Sequence, residues 1–325
     1  MRFAFSDRLR GFYRRANAKG WRETLRQAAL SRLMRPEEFL PLGRANPAGL
    51  LTSDLGALNA ENRQQMRASS FLMEASQVEA TYPLHIEVEG RVLRYAYLPA
   101  TGISKGLAVL FHGHDAFLHL GPVRPWANLD LLAPWDTFGL KRQGSWFWGE
   151  KGQPFVERMV QALIARYRPD NRAWFTVGAS MGGFAALYHG IKYRADGIYA
   201  MCPQVDLARK IEDFGADELT NPYRHLRGNS AEDAFPDLMA LAEGMADLPP
   251  LYLVQNLFDQ INPFAQHAWR LIEVYNRKSA WYGLRIQPSV GHGGDGGQGE
   301  AALFFTRLLD KKPPRTFPGF GKSIA

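Results

Sequence analysis

The sequence predicts an α/β protein: a mostly parallel central sheet with helices on both faces, preceded by a helical basic N-terminal segment. Three features point to it. From Leu107 onward, short apolar, β-prone runs alternate with runs of helical periodicity, as strands joined by crossover helices do. In mid-chain, Gly178-Ala179-Ser180-Met181-Gly182 lies between a strand-like run and a helix-like run. At the front, residues 1–45 hold eleven Lys/Arg against four acids, an excess equal to the formal charge of +7 for all 325 residues.

Taken in order, Phe5, Leu9, Phe12, Tyr13 and Ala16 recur near helical spacing, and a second amphipathic helix is expected from about Trp21 to Leu33. Basic helices of this kind pack on their parent domain, lie on an anionic membrane surface or dock on an acidic partner. Residues 1–81 are assigned to this segment and 82–311 to the sheet domain. Leu84–Val88 and Val92–Leu98 alternate around Glu89-Gly90-Arg91, a hairpin that starts the sheet. Gly106–Phe111 is the most strand-like run of the first half and ends in His112-Gly113-His114-Asp115. Leu129–Ala133 is expected as the fourth strand. The aromatic stretch behind it carries Trp135, Trp146 and Trp148, which form either a platform for a sugar ring or acyl chain, or a cluster pinning a long loop. Asp136 reads as a structural turn residue.

A helix is expected at Phe155–Tyr167, a buried strand at Ala173–Val177, a helix from Phe184, and a strand over Gly197–Cys202. Residues 207–248 mix Arg209, Lys210, Glu212, Asp213, Arg224, Arg227 and Asp233, which suggests a small solvated cap insertion and disfavours a long lipid substrate. Strands at Leu251–Asn256 and Leu284–Pro288 and a closing helix at Ala301–Leu309 complete the domain. Residues 312–325, rich in Pro, Gly and Lys, read as a loosely ordered tail.

The pentapeptide carries the chemistry. A serine raised on a sharp strand-to-helix turn is backbone-strained, and crowding demands small residues two places either side, which Gly178 and Gly182 supply. Asp259 follows the Leu251–Asn256 strand, and His292 lies in the glycine-rich run after Leu284–Pro288. With His112-Gly113 after the third strand, these positions resemble those of the α/β-hydrolase family over roughly residues 82 to 311. The resemblance implies that Ser180 is the nucleophile, His292 the general base and Asp259 the acid that orients it, with Asp206 as the rival acid and Asp295 too close in sequence to His292 to serve. It also implies oxyanion donors at the backbone N–H of Met181 and of His114, with Asp115 the neighbouring possibility. His114 departs from the His-Gly-Gly-Gly pattern of lipase-type members.

Such a site cleaves a carboxylic ester through an acyl-enzyme, on a small or carbohydrate-borne acyl group, and needs no cofactor or metal. Passing the acyl group to a sugar hydroxyl uses the same groups. A non-catalytic scaffold held by its basic N-terminus is the alternative of a different class. His112, His114 and Asp115 lack the second ligand cluster of a metal site. The lone Cys202 excludes an internal disulfide framework. With no 18-residue apolar stretch and an N-terminus broken early by charge, cytoplasmic residence is expected, peripheral to a membrane if the basic helices bind one. No nucleic-acid module accompanies the local basic excess, so no nucleic acid is expected.

Overall fold

The computed structural model describes residues 80–114, 123–168, 172–213, 221–227, 234–259, 261–290, 292–293 and 296–310. The helices expected within residues 1–45 and the 312–325 tail lie outside the described residues, as do Asp115 and Asp295.

The strands are β1 (Leu84–Val88), β2 (Arg91–Leu98), β3 (Gly106–Phe111), β4 (Asp130–Trp135), β5 (Ala173–Ala179), β6 (Gly197–Met201), β7 (Leu251–Phe258) and β8 (Tyr282–Val290). The helices are α1 (Phe155–Tyr167), α2 (Met181–Lys192), α3 (Leu207–Asp213), α4 (Pro222–Arg227), α5 (Leu238–Gly244), α6 (Ala268–Arg277) and α7 (Gln298–Leu309). The strands form one sheet in the order β1-β2-β4-β3-β5-β6-β7-β8. β1 and β2, and β2 and β4, pair antiparallel; the pairs from β4/β3 to β7/β8 are parallel. Glu89 and Gly90 both take positive φ in the β1–β2 turn, the geometry that matches a hairpin's twist.

Interior parallel strands bury both faces, which is why β3 reads as a continuous apolar run. Leu107, Val109 and Phe111 point into one core, shared with Val156 and Leu163 of α1, Phe184 and Leu187 of α2, and Leu271 and Val274 of α6. Ala108 and Leu110 point into the other, closed by Ala301, Phe304 and Phe305 of α7. No described helix is long and apolar enough to cross a membrane.

Three elements differ from expectation. β4 extends to Trp135, past Pro134; its last rung to β3 is at Leu132, so the proline lies where a missing N–H is tolerated. Helix α6 was not anticipated. The 207–248 insertion is less solvated than its charges suggest, because α4 and α5 bury Tyr223, Leu226, Leu238 and Ala242 in the first core.

Candidate active site

Ser180 stands alone between β5 and α2, at φ 56° and ψ −116°. Such a backbone costs on the order of 1–3 kcal/mol and survives only if its surroundings fix it. Its N–H donates to the Met201 carbonyl at the end of β6 (2.9 Å), and its carbonyl accepts from Phe184 N–H (3.0 Å). The turn is as tight as the glycines suggest. A Cβ on Gly178 would sit 2.2 Å from the Gly182 oxygen, and one on Gly182 would sit 2.3 Å from the Phe111 oxygen and 2.5 Å from that of His112. The start of α2 therefore lies directly against the end of β3.

Ser180 Oγ is 2.7 Å from His292 Nε2, and His292 Nδ1 is 2.7 Å from Asp259 Oδ2. Both companions of the serine come from loops after later strands, β7 and β8 bringing Asp259 and His292 to the carboxyl edge where β5 delivers Ser180. Asp259 Oδ1 accepts from the N–H groups of Ile261 and Asn262 at 2.9 Å each, and Oδ2 also from Gln255 Nε2 at 3.3 Å. With an acceptor-only carboxylate at Nδ1, that nitrogen carries the proton, and in the neutral ring Nε2 accepts from the serine. Asp206, the rival acid, instead pairs with Arg270 and accepts from Arg209 N–H (3.0 Å).

Three further residues, none assigned to the site from sequence, complete the surroundings. Gln255 also donates to the Asn262 carbonyl (3.0 Å), and Asn262 Nδ2 donates to the Cys202 carbonyl (2.8 Å), tying the Asp259 loop to the end of β6. Cys202, at φ 38°, brings its Sγ to 4.0 Å from His292 Nε2. The available signal was two adjacent amides, Gln255 and Asn256, inside an otherwise apolar strand.

Burial alone would favour the neutral imidazole of His292. The charge and hydrogen bond of Asp259, with a contribution from Cys202, outweigh it and hold the ring well above the usual histidine value. Cys202, Asp259 and His292 are also the one group among the described residues whose ligand atoms lie close enough for a metal, within 4.8 Å. Nδ1 of that histidine is already engaged by the carboxylate, whose oxygens accept four hydrogen bonds.

On the other side of Ser180, His112 is fully buried and held neutral, its value lowered to about 4 by desolvation. Its Nδ1–H donates to the Gly113 carbonyl (2.7 Å), and its Nε2 accepts from Asp136 N–H (2.8 Å). Because a trans peptide sets N–H opposite C=O, this bond turns the His114 N–H away from the His112 ring. The buried Asp136 carboxylate gathers the N–H groups of Phe138, Ser145 and Phe147 (3.1, 2.7 and 2.8 Å) and the Ser145 hydroxyl, which folds the 136–147 loop.

The three tryptophans do not form a shared platform. Trp135 lies in the core on one sheet face, against Tyr82 and His112, whereas Trp146 and Trp148 lie in the core on the other. Trp135 belongs to β4, and its position there sets the face it takes. The Trp146 ring lies 5.7 Å from that of His114.

No protein-family model matches the chain, and no curated protein matches it in sequence. Among solved structures it is similar to the capsule O-acetyltransferase of Neisseria meningitidis serogroup A, at 18% identity and a TM-score of 0.51, over 70% of this chain and 94% of that one. It is also similar to Pyrococcus horikoshii acylaminoacyl peptidase, at 13% identity and a TM-score of 0.51, over 73% of this chain and 42% of that one. The chain has the α/β-hydrolase fold. It spans less than half the length of the peptidase.

Proposed function

We propose that the protein is a serine acyl-transfer enzyme that cleaves a carboxylic ester through an acyl-enzyme. The hydrogen-bonded line from Ser180 through His292 to Asp259 carries this proposal. Ser180 Oγ attacks the ester carbonyl carbon while His292 Nε2 takes its proton. Asp259 stabilises the imidazolium that results. The N–H of Met181, in the first turn of α2 where no intrahelical carbonyl is available, and that of His114 donate to the developing oxyanion. On collapse the C–O bond to the leaving alkoxide breaks, and His292 returns the proton to it. An acceptor hydroxyl then enters by the same steps in reverse, and Ser180 regains its proton.

Water as that acceptor makes the enzyme an esterase. A sugar hydroxyl makes it an acyltransferase, and this second role is supported by the resemblance to a capsule O-acetyltransferase that is matched over nearly its whole length. A carbohydrate-borne ester is accordingly the proposed substrate class. Labelling with a fluorophosphonate tests the reaction: wild type is expected to label, and folded Ser180→Ala and His292→Ala are expected not to. A folded wild type that does not label would favour a non-catalytic scaffold.

A further inference from the structure

The peptide unit that joins Ile261 to Asn262 is trans, so its C=O and N–H point opposite ways. Its N–H donates to Asp259 Oδ1 at 2.9 Å, and its carbonyl accepts from the Nζ of Lys210, on α3. One planar group therefore has an ammonium at one end and the carboxylate at the other. The hydrogen-bonded line from Ser180 through His292 to Asp259 continues through that peptide to a cation. Lys210 is buried, at 5% exposure, where little water screens it. A charge on the carbonyl polarises the amide and strengthens its N–H as a donor to Asp259.

The helix that carries Lys210 is itself held in place. Asp206 precedes α3 and caps it, Oδ1 accepting from Arg209 N–H at 3.0 Å, while Oδ2 pairs with Arg270 of α6. His267, buried just ahead of α6, accepts the N–H groups of Val205 and Asp206 at Nδ1, at 3.1 and 3.2 Å. Burial first, and then the charge of Lys210, lower this imidazole to about 3, which keeps it neutral and accepting. Asp206 thus joins the segment after β6 to the segment after β7. The 207–248 insertion begins with α3, so its first helix is tied to the loop that delivers Asp259.

We propose that Lys210 is a positioning residue for acyl transfer, gripping the Ile261–Asn262 peptide so that Asp259 is held with Oδ2 on His292. This role rests on the serine reaction proposed above and adds to it a residue of the β6–β7 insertion. Lys210 acts through Asp259 alone. Its loss should therefore lower turnover and leave ester binding as it was, and it should cost nothing once the carboxylate has gone.

The test is kcat and KM on p-nitrophenyl acetate for wild type, Lys210→Met, Asp259→Asn and the double variant, with fluorophosphonate labelling of wild type beside it. Methionine is close to lysine in length and removes a buried charge; folding is checked by circular dichroism, and Lys210→Gln takes its place if the methionine variant does not fold. A displacement of about 1 Å at a reacting group costs roughly a hundredfold, so a partial loosening is expected to lower kcat about tenfold with KM within about twofold. In the Asp259→Asn background the same substitution is expected to change kcat by less than about twofold. The proton resonance of His292 Nδ1–H, followed by NMR, is expected to move in Lys210→Met. Wild-type kcat in the folded variant overturns the role of Lys210 and leaves the serine chemistry standing. So do a tenfold loss that persists without the carboxylate and a resonance that stays in place. Wild type that neither labels nor turns over the ester overturns the serine chemistry, and the positioning role with it.

Discussion

Asp259 serves two structures with one carboxylate: Oδ1 closes its own loop through Ile261 and Asn262, and Oδ2 holds His292. An asparagine can keep only one accepting oxygen. If that oxygen stays on the loop, its NH₂ faces Nδ1 and drives the imidazole proton to Nε2, where it opposes the serine. Asp259→Asn is therefore expected to lower kcat on an activated ester by about 10⁴-fold with the fold intact. The pH profile gives a second readout. His292 must be neutral to act as a base, and Asp259 is the main force raising its value against burial. Wild-type kcat/KM is expected to rise only as pH climbs above the usual histidine range, and the residual activity of Asp259→Asn to rise at lower pH. An unchanged rising limb in the variant would show that the carboxylate does not set it. At this scale, Ser180, Asp259 and His292 were legible because each sits in a short motif after its own strand. Gln255, Asn262 and Cys202 were not, because their contacts arise only when two strand ends are brought together. Trp135 was misjudged for the same kind of reason, since a one-residue change of position along a strand exchanges sheet faces.

Among elements, the β5-turn-α2 unit has the least room to adjust. The atoms that a Cβ on Gly182 would meet are carbonyl oxygens of Phe111 and His112, at the end of a central strand, and they cannot yield without distorting the sheet. Gly182→Ala is expected to destabilise by about 1–3 kcal/mol, seen as a lower urea midpoint; an unchanged midpoint would mean that the turn has slack. The strands β3, β5 and β7 were readable because burial on both faces makes apolar runs bounded by turn residues. Helix α6 escaped notice because Arg270, Glu273, Asn276 and Arg277 interrupt its apolar residues, which lie on one side as Leu271, Ile272, Val274 and Tyr275. The insertion misled in the opposite sense: its charges dominate the composition, while the few apolar residues of α4 and α5 decide where it packs.

For the molecule as a whole, buried histidines tie stability to pH. Burial lowers His112 and His189 to about 4 and His267 to about 3, each below the unfolded value near 6.5. Above pH 6.5 neither state of these groups binds the proton and their contribution is complete. From 6.5 downward only the unfolded chain binds it, so stability falls until the folded values are reached. His292 has the opposite sign, because its folded value is raised: its contribution is full below 6.5 and is lost as pH climbs from there through the raised folded value. Urea unfolding is expected to show a clear loss between pH 7 and 5.5, a window above most carboxylate titration. His189→Gln can still bridge the Phe147 carbonyl and Gln161, and it should reduce that loss. A loss of the same size in the variant would assign the slope to other groups.

The backbone of Ser180 has one more implication. Its φ of 56° and ψ of −116° mirror an extended conformation that every L-residue finds comfortable, so the position suits glycine, the achiral residue, better than any other. Ser180→Gly should melt higher than wild type while losing all acyl transfer. Selection for durability and selection for turnover thus favour different residues at this position, and a serine kept there across related chains would mark those still under pressure to catalyse.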